Sequence, residues 1–331
     1  MPEYFSYAEQ TAHYFRRPHS ALPFGGVSSA AAWKVPDFGS EESWRQRLRT
    51  EQVDEFQAAI DIALGTQRQL TQLRTEDFPL PTLQGDVERW RDELSQGRGF
   101  QVVSGLPVQN WSALESQVFF WCLGLHMGRP GAQNPQGDLL GEVRDMGEDE
   151  SDPFVRLYRT QAEIAYHCDA ADVVGLLCVR NAQEGGTSQI ASSVSVYNTL
   201  QARRPELAQR LFEPVPLDIR NEDASGTLHS IDIQPCCFSD GRLRTFYHSD
   251  YFRSAQRHPE LPRFSQREKD LLDLYDEIAA DPDHRLEMNL EPGDVQWLSN
   301  HSIVHARTGY EDLADPERGR LLLRLWVSVQ E

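Results

Sequence analysis

His167, Cys168 and Asp169 stand together in the stretch Ala-Tyr-His-Cys-Asp-Ala, and two more histidines, His301 and His305, lie near the C-terminus in Asn-His-Ser-Ile-Val-His-Ala-Arg. On a β-strand, residues two apart share a face. A strand through His167 therefore aims one imidazole and one carboxylate at a common point and turns Cys168 away. A second imidazole, brought from a distant strand by His305, would complete a set of two histidines and one carboxylate. Such a set occupies one face of an octahedral Fe(II) and leaves the opposite face open for substrate and O2. A His-x-Asp triplet arises easily by chance, and a neutral histidine bonded to a backbone carbonyl is a common core feature. The setting favours the ligand reading, because each histidine sits at a strand end beside turn residues, where a rigid scaffold holds ligands.

Arg320 and Arg324 supply a second element, in Gly-Arg-Leu-Leu-Leu-Arg-Leu-Trp-Val. On a strand that spacing puts both guanidinium groups on one face, with Leu322 between them. The leucines argue for a buried strand, and buried arginines need anionic partners. A carboxylate is the natural bidentate partner of a guanidinium. Internal salt bridges, or a register that turns both arginines to solvent, are the alternative.

These residues need elements to position them. Residues 1–40 read as an irregular arm. Helical spacing of Val53, Phe56 and Ile60 predicts a helix over 41–75, with Ser40 or Ser43 as its cap, and a second helix follows over 85–96. Phe100–Val103 reads as a strand and 112–127 as an apolar helix stopped by Gly128 and Pro130. Residues 131–152, Gly-rich and acidic, read as a long loop of the kind that forms functional lids. Strands are expected over 154–160, 173–179, 187–192, 285–290, 294–299 and 320–329, with helices over 193–213 and 265–280. Residues 228–238 and 243–248 read as a pair of strands joined by Ser239-Asp240-Gly241. The pattern is mainly β with α, and predicts a double-stranded β-helix (jelly roll) core decorated by helices. One oxygenase domain over 1–331 accommodates it: the arm 1–40, a mainly helical part 41–130, and a catalytic jelly-roll core 150–331 with inserted lid segments. The loops 131–152 and 215–262 are expected to shape the pocket.

Composition narrows the partners. A formal charge of −19 repels a phosphate backbone or an anionic membrane surface. A small-molecule substrate remains, and local arginines allow it to be anionic. No apolar run reaches the length of a membrane span, and the N-terminus lacks a secretory pattern. The five cysteines (122, 168, 178, 236 and 237) are odd in number and form no C-x-x-C pair. They read as reduced thiols of a cytoplasmic protein, with Cys236-Cys237 as packing. The sequence leaves a homo-oligomer open.

The ordered series of motifs resembles the taurine dioxygenase/clavaminate synthase-like family of Fe(II)- and 2-oxoglutarate-dependent oxygenases. The resemblance runs from about residue 98 to 329. It rests on Gly-Arg-Gly-Phe-Gln-Val-Val-Ser-Gly-Leu-Pro (97–107), Asp-Leu-Leu-Gly-Glu-Val-Arg-Asp (138–145), His-Cys-Asp, and Asp-Val-Val-Gly-Leu-Leu-Cys-Val-Arg (172–180). Gly-Gly-Thr-Ser (185–188), Pro-Gly-Asp-Val (292–295), the His301–His305 motif and Arg-Leu-Leu-Leu-Arg (320–324) complete it. The resemblance implies His167, Asp169 and His305 as iron ligands, His305 rather than His301 closing the family's Asn-x-x-x-x-His-x-Arg motif. It implies Arg320 as the partner of the distal carboxylate of 2-oxoglutarate, with a hydroxyl from Ser188, or from Thr187 under a shifted register. It implies Arg324 as a contact to an anionic group of the substrate. Cys168 stands where Thr or Ser is commoner in the family.

Fe(II), 2-oxoglutarate as cosubstrate and O2 follow from the resemblance, and so does hydroxylation of a C–H bond with release of succinate and CO2. Related iron halogenases carry a small residue in place of the carboxylate, so the chain, with Asp169, is not expected to halogenate. Desaturation or cyclisation by the same chemistry, and a non-catalytic protein that binds iron and 2-oxoglutarate, are alternatives. A hydrolase using Cys168 as nucleophile is a third. Tyr158, Arg159 and Tyr166 are either pocket-lining or packing residues, and Glu148-Asp149-Glu150 reads as a solvated loop.

Overall fold

Alternation along the last long strand, Leu321–Ser328, organises the molecule. Leu323, Leu325 and Val327 join an apolar cluster with the helices, whereas Arg324 and Leu322, with Arg320 just before the strand, line an internal pocket. The computed structural model describes residues 4–220, 222, 223 and 227–329, so the expected lid 215–262 and the domain limits at 1 and 331 include residues outside that set.

Two sheets face each other. The larger runs in the order 45–47, 100–104, 295–299, 173–180, 321–328, 129–131, with 140–143 also paired to 321–328. The smaller runs 286–288, 188–192, 303–307, 164–167. Between them, Val174, Ile190, Met288, Leu298, Ile303 and Trp326 form an apolar filling, while the ligand-bearing residues lie toward the open end. Helices Thr50–Gly65, Gln84–Ser95 and Ala113–Met127 bury Phe56, Trp90, Phe119 and Trp121 against the outer face of the large sheet. Helices Ser193–Arg203 and Gln266–Ala280 cover the outer face of the small sheet through Val196, Leu200, Leu272 and Tyr275. This is the expected jelly roll decorated by helices.

Several boundaries differ from expectation. The helix expected over 41–75 is confined to Thr50–Gly65, with Arg49 rather than a serine at its N-cap. Arg45–Arg47 ahead of it is a strand parallel to 102–104. The long loop 131–152 contains the strand Leu140–Val143. The strand expected over 154–160 is a single 3-10 turn, Leu157–Arg159. Pro205 divides the helix expected over 193–213 into Ser193–Arg203 and Pro205–Arg210. The expected pairing across Asp240-Gly241 is there, as Cys236–Ser239 with Arg242–Thr245, but Ser230–Ile233 pairs instead with Val215–Asp218.

The arm is not irregular throughout. Ser6 caps the helix Tyr7–Tyr14 in a reciprocal capping box with Glu9. Asp172, 9% exposed, latches that helix to the body. Its two oxygens lie 2.8 Å from His13 Nε2 and 2.9 Å from His301 Nε2, and Val329 N donates to it. Removing this carboxylate leaves three part-buried donors without their acceptor, so Asp172→Ala is expected to lower unfolding free energy by about 1–3 kcal/mol.

The latch also sets a pH dependence. Burial pushes the Asp172 carboxyl up, but hydrogen bonds from His13 and His301 outweigh it and hold it well below the usual range. A depressed carboxyl stabilises the fold above its unfolded value near 4 and loses that contribution as the pH falls further. Burial also lowers the His301 imidazole, against the opposing pull of Asp172. The unfolded chain therefore binds that proton first, and stability drains as the pH falls below about 6.5. The urea midpoint should accordingly drop between pH 7.5 and pH 5. A flat or rising midpoint would contradict the latch.

Candidate active site

The antiparallel register of Ile303–Arg307 against Ile164–His167 sets His305 directly opposite His167. Their ring centroids are 4.1 Å apart. Asp169 does not reach them by strand alternation, as expected from sequence, because the strand stops at His167. The two residues that follow are pinned instead: Cys168 N donates to Tyr247 O at 2.7 Å, and Asp169 N donates to the Asn300 side-chain oxygen at 3.0 Å. Asn300 in turn donates to Ala171 O, so it fixes the turn from both sides. Cys168 does point away, into the core beside Tyr247 and Tyr275. Burial pushes its thiol up to about 12, which argues against a thiolate nucleophile.

One ligand atom each from His167, Asp169 and His305 falls within 4.8 Å of the others. His301 is not among them, being held by Asp172. His167 Nδ1 lies 2.9 Å from Ala165 O, which orients the ring and leaves Nε2 free to ligate. His305 Nε2 and Asp169 Oδ2 are buried without a hydrogen-bond partner. Orphaned buried acceptors are rare, and these two face one point. Burial, then the neighbouring His167, lowers the His305 imidazole to about 3, so it is neutral and available at neutral pH. Burial raises the Asp169 carboxyl, but Arg324, His305 and His167 together outweigh it and keep it ionised. Two imidazoles and one carboxylate aimed at one point, with His305 Nε2 and Asp169 Oδ2 buried and unsatisfied, fit a divalent cation such as Fe(II).

On one side of this group the pocket ends in two more cations. Arg320 and Arg307 are 7% and 6% exposed. Arg320 Nη1 and Arg307 Nε and Nη1 are buried without partners, and among the described residues neither side chain has a carboxylate within ion-pair distance. Burial, then Arg320 itself, lowers Arg307 to about 10. Two adjacent buried guanidinium groups require an anion, and the distal carboxylate of 2-oxoglutarate fits that demand. Ser188 lines the same pocket and donates to Gln296 at 3.2 Å, whereas Thr187 turns out to Asn289. The backbone reason for Gly-Gly is visible here. Gly186 has φ +71°, and a Cβ on it would lie 3.0 Å from Arg320 Nε.

Another part of the pocket lining gathers further cations and aromatic rings. Arg324 Nη1 lies 3.8 Å from Asp169 Oδ1, and its Nε donates to Gln133 Oε1 at 2.6 Å. Its guanidinium lies 4.4 Å from the centre of the Tyr158 ring. His248 bridges to His167 through the backbone and stacks on Tyr251 at 3.6 Å. Arg156, Arg220 and Asp250 complete this end. Arg159 pairs with Glu148 in an adjoining outer depression, and Tyr166 packs in the core of the small sheet. Sequence reasoning missed Arg307, Arg220, His248 and Asn300. Arg307 carried a usable signal, since strand alternation places it beside His305 on the same face. Arg220 and His248 lie in the 215–262 segment, where no periodicity marks them.

The model of the family described as taurine catabolism dioxygenase TauD, TfdA matches residues 66–326. The FR-33289 synthase of Streptomyces rubellomurinus is 34% identical over 248 residues, covering 72% of this chain and 71% of that protein. A taurine hydroxylase-like protein of Stachybotrys chartarum is 26% identical over 318 residues, covering 93% of this chain and 81% of its own. Among solved structures, an asparagine oxygenase in complex with Fe(II), a hydroxyasparagine and succinate superposes with a TM-score of 0.65 at 17% identity, covering 86% of this chain and 93% of that one.

Proposed function

The chain belongs to the taurine catabolism dioxygenase TauD, TfdA family, and we propose that its pocket hydroxylates an unactivated C–H bond of a small substrate that is anionic or amino-acid-like. It is an Fe(II)/2-oxoglutarate-dependent dioxygenase, and its cofactors are Fe(II), 2-oxoglutarate and O2. In our reading His167, Asp169 and His305 hold the iron. Arg320, with Ser188 beside it and Arg307 behind it, holds the distal carboxylate of 2-oxoglutarate, and Arg324 faces the substrate.

Bound iron, with 2-oxoglutarate and O2, supplies the oxidising chemistry, which ends in hydroxylated product, succinate and CO2. The chain itself contributes position and field. Asn300 fixes the backbone of Asp169, and Ala165 O fixes the His167 tautomer. Leu176, Leu290 and Leu322 give the pocket an apolar wall beside its charged groups. The observation that carries this reading is one cavity with unsatisfied metal-ligand atoms in its middle and uncompensated guanidinium groups at its end.

The test is an anaerobic visible titration of apoprotein, first with Fe(II) and then with 2-oxoglutarate. A weak charge-transfer band that requires both additions is expected, and on admitting O2 the protein should release succinate. No band from folded, metal-loaded protein would overturn the 2-oxoglutarate assignment. A band without succinate, across a substrate panel, would favour the non-catalytic alternative. We also read the chain as a single oxygenase domain of the cytoplasm, a reading supported by five buried, unpaired cysteines.

A further inference from the structure

The charges around the substrate end do not balance, and the imbalance has a definite size. Arg156 is neutralised: its Nε and Nη2 reach Glu222 Oε1 at 2.6 and 2.5 Å. Arg220 is not. It lies flat on the Tyr251 ring at 4.1 Å, donates to Val155 O at 2.7 Å, and leaves a buried Nε without a partner. Among the described residues no carboxylate lies within ion-pair distance of it. The ion-pair partner of Arg324 is Asp169, 3.8 Å away, whose charge is committed to the metal in the reading above. At the opposite end, the two charges of 2-oxoglutarate are set against the metal and against Arg307 and Arg320. Two guanidinium charges, Arg220 and Arg324, are therefore left facing the substrate, and among the described residues lining the metal pocket only Asp250 offsets them.

The shape of the space adds a second, independent observation. The metal pocket and the adjoining outer depression share Arg156, Tyr158 and Arg220, which form the neck between them. Arg220 reaches the neck from the segment after Asp218 with a left-handed backbone, φ +49°. Arg324 comes from a strand of the large sheet. Their donors converge from different elements rather than from one planar fork. A planar carboxylate is served by one guanidinium, whereas a group with three acceptor oxygens and nearly two charges takes several donors at once. His248, whose buried Nδ1 has no partner, stands ready as a further donor. An amino-acid substrate would need a carboxylate for its ammonium group; among the described residues the metal pocket offers Asp250 besides Asp169. In the outer depression Glu148 and Glu222 are paired with Arg159 and Arg156, while Asp223 accepts from the backbone of Thr227 and Leu228.

We propose that the substrate carries a doubly charged phosphoryl or phosphonyl group, seated at the neck between Arg220 and Arg324, with the bulk of the molecule in the outer depression. This rests on the dioxygenase reading above and sharpens its substrate class. The probe is methylphosphonate at pH 8, compared with methanesulfonate, which has the same shape with one charge, and with L-asparagine and L-arginine. Binding is measured by calorimetry on anaerobic protein loaded with Fe(II) and 2-oxoglutarate.

Methylphosphonate is expected to bind at least ~10-fold tighter than methanesulfonate or either amino acid. Arg220→Ala should abolish that preference while keeping the 2-oxoglutarate band, and Arg220→Lys should restore part of it. Equal binding of the two anions, or tighter binding of an amino acid, overturns the proposal. So does a preference that survives in Arg220→Ala, because the phosphonate would then be sitting on the metal. Absence of the band in wild type is a different failure, that of the dioxygenase reading itself.

Discussion

Replacing Asp169 by alanine should abolish coupled turnover and weaken Fe(II) binding by on the order of a thousandfold, equivalent to about 4 kcal/mol. The argument is electrostatic. Of the three candidate ligands, Asp169 alone can bring negative charge to a cation; an imidazole brings none. The carboxylate is held ionised in a buried site, with burial opposed by Arg324 and both histidines. Without it, a dication would face two imidazoles and the Arg324 guanidinium, whose Nη1 is 3.8 Å from Asp169 Oδ1. The attraction that balanced that repulsion would be gone. Metal affinity can be read by competition with a chromophoric chelator under anaerobic conditions, and turnover by succinate release. His301→Ala is the informative control. Its ring bonds Asp172 rather than facing the pocket, so it should lose fold stability but keep iron. If Asp169→Ala keeps wild-type iron affinity, or if His301→Ala loses it, the ligand set is wrong.

How much of this site is legible in the sequence depends on which forces place each residue. That His167, Asp169, His305, Arg320 and Arg324 meet in one pocket was legible because short motifs and spacing carry them. The jelly roll was legible from short strand-like runs between turns: the strands expected over 173–179, 187–192 and 320–329 are found as Val173–Arg180, Ser188–Ser192 and Leu321–Ser328. What failed was set by long-range pairing. Arg45–Arg47 is pulled out of the expected helix by parallel pairing with Val102–Ser104, and no local propensity announces a partner more than fifty residues away. Leu140–Val143 hides in a Gly-rich stretch, and only its pairing with Leu322–Leu325 makes it a strand. The Asp169 case is subtler. Its predicted direction was right and the reason was incomplete, since a side-chain hydrogen bond from a residue 131 positions away does the work assigned to strand alternation. Arg220 and His248 were illegible because a loop has no period to expose which residues face inward.

Arg320→Ala should raise the 2-oxoglutarate KM by about a hundredfold, near 3 kcal/mol, while kcat at saturating cosubstrate falls far less. The asymmetry follows from where the residue acts. Arg320 lines the end of the pocket beyond the metal ligands, and in our reading it touches the carboxylate that does not react. Its loss removes binding that is the same in the ground state and the transition state, which appears in KM rather than kcat. The size follows from burial. The guanidinium is 7% exposed and has no carboxylate partner among the described residues, so in our reading the cosubstrate is its counter-ion, and a charge-assisted pair in such a site is worth several times its surface value. Arg307 limits the effect. It remains beside the vacated position with Nε and Nη1 unpartnered, and keeps some attraction for the anion. Arg307→Ala alone should therefore cost less than Arg320→Ala, and the double variant more than either, with the two effects not additive because the groups share one anion. Succinate release against 2-oxoglutarate concentration separates the two constants. An Arg320→Ala enzyme with unchanged KM and depressed kcat would place this arginine at the reacting end of the pocket and invert the orientation assigned to the cosubstrate.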